Sequence, residues 1–101
     1  MDEFTLQSAA AALRDAAPPG SQIILFGSQA RGNARPNSDA DFLVVEPKVR
    51  DRFGEMTRLS HLLGKMLVPA DVVVMGKNIY DRFRDTPNTL AYTALREGRV
   101  L

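Results

Sequence analysis

Apolar residues fall along this chain in two rhythms, and each predicts its own kind of element. From Asp2 to Ala17, Phe4, Leu6, Ala9, Ala10 and Leu13 recur near helical spacing, and Pro18-Pro19-Gly20 stops the segment, which predicts a helix. Ser21 to Phe26 instead gathers Ile23, Ile24, Leu25 and Phe26 into a run of strand length that breaks off at Gly27-Ser28. Ser28 to Ser38 holds Gly32, Asn33, Pro36 and Asn37 and reads as a turn-rich connection. Asp39 to Glu46 is a second strand around Phe42, Leu43, Val44 and Val45, closed by Pro47.

From Val49 to Leu67 the rhythm is helical again. Phe53, Met56, Leu59, Leu62, Leu63, Met66 and Leu67 recur every three or four positions, with Arg52, Glu55, Arg58 and Lys65 between them, so the stripe including Met56 and Met66 is expected to face the core. Pro69 ends that helix, and Ala70 to Met75 forms a third strand around Val72, Val73 and Val74. A short helix follows over Asn78 to Arg84. Thr86-Pro87 then reads as a cap with proline at the first helical position, opening a last helix that runs to Glu97 and stops at Gly98. Arg99-Val100-Leu101 is left as a short edge strand.

About a dozen residues join the first two strands, too few for a helical crossover, so these strands are expected to be antiparallel; the long helix before the third strand permits a parallel crossover. The pattern therefore predicts an α/β (α+β) chain, a small mixed sheet with helices packed on it. At 101 residues this is one domain, 1–101, with no repeat and no linker.

Composition narrows the function. Thirteen basic and twelve acidic residues leave a formal charge of +1, which argues against a protein whose main task is coating nucleic acid. The absence of cysteine excludes a disulfide framework and thiolate metal ligands. No apolar run approaches the roughly 20 residues that span a bilayer, and Met1-Asp2-Glu3 is acidic where a secretion signal is basic. A cytoplasmic protein with no membrane partner is the expectation.

The chemistry concentrates in Gly27-Ser28-Gln29-Ala30-Arg31-Gly32 and Ser38-Asp39-Ala40-Asp41. Residues two apart on a strand share a face, so Asp39 and Asp41 are expected side by side, where they repel unless a cation compensates; hard oxygen ligands suit magnesium. Asp71 heads the third strand among Val68, Pro69, Ala70 and Val72, and reaches the same cluster if the second and third strands are neighbours. Three carboxylates around one point can hold two metals roughly 3.5–4 Å apart for in-line phosphoryl displacement. Gly27 lets the backbone turn close to a ligand, Ser28 can offer its hydroxyl and N–H to phosphate, and Arg31 can add a charge-assisted contact.

These residues resemble a known family. Gly27-Ser28, Asp39 with Asp41, and a separate Asp71 are similar to the signature of the DNA polymerase beta-like nucleotidyltransferase superfamily, and the fuller strings look like its minimal (MNT) branch. The resemblance spans nearly the whole chain. It implies that Gly27 and Ser28 bind the triphosphate of ATP, and that Asp39, Asp41 and Asp71 hold two Mg2+ ions, with Mn2+ as a substitute. It further implies an antitoxin that adenylylates a tyrosine of a HEPN-domain ribonuclease toxin; no residue reports that partner directly.

Two other functions compete with an AMP-transferring enzyme. One is a binding module that silences its partner by occlusion and keeps the acidic triad as a vestige. The other is a small-molecule nucleotidyltransferase of the aminoglycoside-modifying kind, which generally carries an extra helical domain to grip its acceptor. Elsewhere the bland readings prevail: Arg35 is a solvated loop charge, His61 a packed or surface residue of its helix, and Tyr80 and Tyr92 core or interface residues.

Overall fold

The computed structural model describes all 101 residues. Helix α1 spans Glu3–Ala16, started by the Asp2 side chain, which accepts a hydrogen bond from the Thr5 amide at 2.8 Å. Strand β1 (Gln22–Phe26) runs straight into a single helical turn, α2 (Gly27–Arg31), at the head of the turn-rich connection. Strand β2 (Ala40–Glu46), helix α3 (Arg52–Lys65) and strand β3 (Ala70–Gly76) follow. Helices α4 (Lys77–Phe83) and α5 (Leu90–Glu97) and the two-residue strand β4 (Arg99–Val100) complete the chain.

The four strands form one mixed sheet in the order β3-β2-β1-β4. As expected, β1 and β2 are antiparallel, while β2 and β3 are parallel with α3 as the crossover. Alternation of side chains splits the core between the two faces. Ile23, Leu25, Phe42, Val44, Val72 and Val74 pack with Leu6, Leu13, Leu59 and Leu63 of α1 and α3. On the opposite face Ile24, Leu43 and Val45 meet Tyr80 of α4 and Ala91 and Ala94 of α5. Because β2 is covered on both sides, it is buried from Phe42 to Glu46 and forms the rigid spine of the molecule.

Three local expectations are corrected. Helix α5 starts after Thr89, whose side chain accepts from the Tyr92 amide at 3.2 Å, rather than at Thr86-Pro87. Asn88 takes a left-handed conformation with φ 67°, which no helix can pass through, so Pro87 lies in a turn ahead of the cap. The apolar stripe of α3 is not buried throughout. Leu59 and Leu63 are core and Met56 packs against it, but Phe53 is 73% exposed and Met66 and Leu67 stand at the exposed end of the helix. Phe4 is exposed in the same way at the start of α1. Lastly, β2 begins at Ala40, so Asp39 stands one residue ahead of the strand.

Candidate active site

Strand register brings the predicted residues to one end of the sheet. Phe26, the last residue of β1, pairs with Asp41, and Asp41 pairs with Asp71 on β3. Three adjacent strands thus line up, across one row, the residue before Gly27 and two of the three carboxylates. Asp39 precedes that row by two positions, and the Ala40 amide donates to the Pro69 carbonyl at 3.1 Å, tying the approach to β2 to that of β3.

Gly27 is the tightest point of this end. Its φ is 72°, a conformation that favours glycine, and a Cβ placed there would meet the Asp41 carboxylate, lying 3.2 Å from its Cγ. The chain therefore turns from β1 into α2 directly against Asp41, and only glycine leaves room for both. Half-buried Ser28 starts the turn, with its carbonyl accepting from the amides of Gly32 and Asn33 at 3.0 and 3.2 Å.

The electrostatics of the row are those of crowded anions. Burial pushes the half-buried Asp41 carboxyl above its usual range, and repulsion from Asp71 and then Asp39 adds to the shift, while Arg31 opposes it. Asp39 and Asp71 are exposed. No three acidic or histidine side chains anywhere in the chain converge closely enough to hold an ion ready-made. Three like charges with nothing between them are expected to stand apart, and the donors themselves fit a hard divalent cation: three carboxylates on one rim, mutually repelling, with one partly desolvated. None of the five principal cavities is lined by Asp39, Asp41 or Asp71, so the row faces open solvent rather than a closed pocket.

Arg31 ends α2, and its Nη1 donates to Glu97 Oε2 of α5 at 3.2 Å. One guanidinium nitrogen is engaged in this way, and the remaining donors are left for another anion. Sequence reasoning missed Glu97, since nothing along the chain announces that the end of α5 lies over α2. It also missed Gln29, which is buried and donates from Nε2 to the Ser38 carbonyl at 2.9 Å, next in sequence to Asp39. A polar residue one position past Gly27-Ser28 was the available signal.

Comparison with known proteins shows the family and the fold. The nucleotidyltransferase domain model matches residues 6–93. A solved structure described as that of a minimal nucleotidyltransferase is 31% identical, covers 100% of this chain and 97% of its own, and superposes with a TM-score of 0.67. A chain from a complex of tri-AMPylated Shewanella oneidensis HEPN toxin with MNT antitoxin shares the fold at 21% identity and a TM-score of 0.65, over 99% of this chain and 71% of that one. A toxin–antitoxin structure with AMP-PNP does so at 23% identity and 0.61, over 99% and 72%. No curated protein matches the chain significantly. With the glycine turn and the acidic row in register and the family model covering most of its length, the chain belongs to the nucleotidyltransferase domain family.

Proposed function

We propose that this protein transfers AMP from ATP to a hydroxyl of a protein, and that the acceptor is a HEPN-domain toxin for which it serves as antitoxin. The observation that carries the reading is the row in which Asp41 is flanked by Phe26 and Asp71 with Gly27 pressed against it. In this reading the triphosphate would lie beside the carboxylates at one end of the sheet. The fold shared with a complex of HEPN toxin and MNT antitoxin, and with a toxin–antitoxin structure with AMP-PNP, supports the choice of nucleotide and partner.

In this scheme Gly27 lets the backbone approach the triphosphate, and Ser28 and the free donors of Arg31 bind its oxygens. Asp39, Asp41 and Asp71 would hold divalent ions, which when bound supply neutralisation of the triphosphate and of the departing pyrophosphate. The acceptor hydroxyl oxygen forms a bond to the α-phosphorus, and the bond from that phosphorus to the bridging oxygen of the β-phosphate breaks. Asp71, an exposed carboxylate of the row, takes the hydroxyl proton. The open, solvent-facing setting of the row suits an acceptor that brings its own walls, as a protein surface does.

The test is incubation of the protein with labelled ATP, magnesium and the HEPN-domain partner. Label is expected on the partner, dependent on magnesium and lost with Asp41→Asn. Label that appears on no protein while the partner is still silenced would favour occlusion instead.

A further inference from the structure

We infer that Gln29 is a positioning residue that sets the acidic row against the glycine turn, so that the two halves of the site move as one; this rests on the reading of Asp39, Asp41 and Asp71 as metal ligands. Gln29 belongs to α2, the turn that follows Gly27, yet its side chain faces inward and is only 9% exposed. Its Nε2 donates to the carbonyl of Ser38, the residue immediately before Asp39. The amide orientation is fixed by chemistry, because a carbonyl oxygen can only accept.

The segment between the two halves needs such a tie. Residues 32–39 contain no helix or strand, and the hydrogen bonds in their middle are made among themselves. The Ser38 amide donates to the Arg35 carbonyl at 3.0 Å, and the Arg35 amide donates to Ser38 Oγ at 3.0 Å, closing a small turn on itself. Gln29 makes the only side-chain hydrogen bond that crosses from α2 to this segment. At the other end of the segment Gly32 and Asn33 are pinned to Ser28. The connection is therefore pinned to Ser28 at its start and to Gln29 at its end, and together with the hydrogen bond from the Ala40 amide to Pro69 this places Asp39 although it lies outside β2. An amide suits the place: it is long enough to reach the Ser38 carbonyl, it donates, and it buries no charge. A partner that holds a ligand's backbone in this way is expected to change metal affinity by about tenfold when removed.

The experiment uses the full chain with ATP and Mn2+. Calorimetry gives the Mn2+ concentration for half-maximal ATP binding and the ATP Kd at saturating Mn2+, both measured well below the melting temperature of each variant. Gln29→Met, which keeps shape and loses the donor, is expected to raise the Mn2+ midpoint about tenfold while ATP Kd at saturating Mn2+ changes less than about threefold. Hydrogen exchange at Ser38 to Asp41 should quicken in the metal-free variant, a change that needs no bound metal to be seen. Gln29→Asn, which keeps the amide on a shorter stem, should fall between, and it serves if the methionine variant fails to fold. A folded variant with an unchanged Mn2+ midpoint and unchanged exchange would overturn the inference alone. A wild-type protein that binds ATP equally with and without Mn2+ would overturn the metal-site reading, and this inference with it.

Discussion

Asp41 and Glu46 sit at opposite ends of the same strand, and burial raises the pKa of both for different purposes. At Asp41 the neighbours are the anions of the candidate site, and a cation can relieve them. At Glu46, 2% exposed, burial pushes the carboxyl up to about 7, helped by the hydrogen bond with Glu55 and its charge and opposed by Arg58. Glu46 Oε2 finds no hydrogen-bond partner within the protein. Its folded pKa lies above the ordinary 4.5, so the stability that neutral Glu46 contributes is full below about pH 4.5 and is lost as pH rises through about 7. Glu55 works the other way: the hydrogen bond from Arg58 holds it below its usual range, and its contribution is lost on acidification. Glu46→Gln keeps a neutral, donating group at every pH. The expected outcome is a melting temperature little changed near about pH 5 and raised near about pH 8, by on the order of 1–3 kcal/mol of stability. Thermal unfolding across that range checks it, and parallel pH profiles for the two proteins would refute it. At this scale the sequence was legible for the carboxylates, because aspartates at strand starts are hard to explain by packing. It was silent on the burial of Glu46: the strand was expected to run to Glu46, but nothing along the chain says that its carboxylate is covered.

Element boundaries show where local signals compete. The strands were readable because unbroken β-branched and leucine runs have no other use at that length, whereas the caps were not, because several residues near each helix end could serve. Thr86-Pro87 offered a good start for α5, but Thr89 won by bonding on both sides: its Oγ1 accepts from the Tyr92 amide, and its single hydroxyl proton is shared between the carbonyls of Phe83 and Thr86, at 3.0 and 2.8 Å. The end of α3 went unread for a different reason. The Leu67 amide donates to the Gly64 carbonyl and the Val68 amide to the Leu63 carbonyl, both at 3.0 Å, a helix-ending loop that calls for a left-handed residue and usually has glycine there. Here that residue is leucine, with φ 59° and 88% of its surface exposed. Periodicity placed Leu67 in the buried stripe, and only the backbone turn reveals otherwise. A leucine in this conformation costs about 1 kcal/mol relative to glycine and gains almost nothing from burial. Leu67→Gly is therefore expected to raise the melting temperature by about 4–8 °C, the shift of roughly 1 kcal/mol in a domain of this size. A lower melting temperature would mean that Leu67 makes contacts in solution that outweigh its strain.

On the scale of the whole molecule, a small sheet covered by helices on both faces leaves its functional groups on a rim, and this shapes how the protein can act. Asp39 and Asp71 of the acidic row are exposed, and no helix is long and apolar enough to cross a membrane. The topology was legible because connection lengths and the one long crossover helix leave few alternatives, while the packing of α5 over α2 depended on contacts far apart in sequence. A site on a rim can work as an enzyme or as a docking face, and the two differ in stoichiometry. A covalently adenylylated toxin stays silent after the proteins part, so a catalyst is needed in small amounts, whereas an occluding module must be present at least one to one. Asp39→Ala with Asp41→Ala removes two charges that repel each other and a neighbouring carboxylate, so the doubly substituted protein is expected to fold as stably as the wild type or better. Co-expressed with its HEPN partner, it is expected to lose protection of the cell, and the partner isolated from wild-type co-expression is expected to carry the added mass of one or more AMP units. An unmodified partner together with full protection by the double variant would leave occlusion as the mechanism. Lost protection with no added mass would point to a different acceptor or to a metal-dependent binding surface, and protection by the double variant separates this outcome from occlusion.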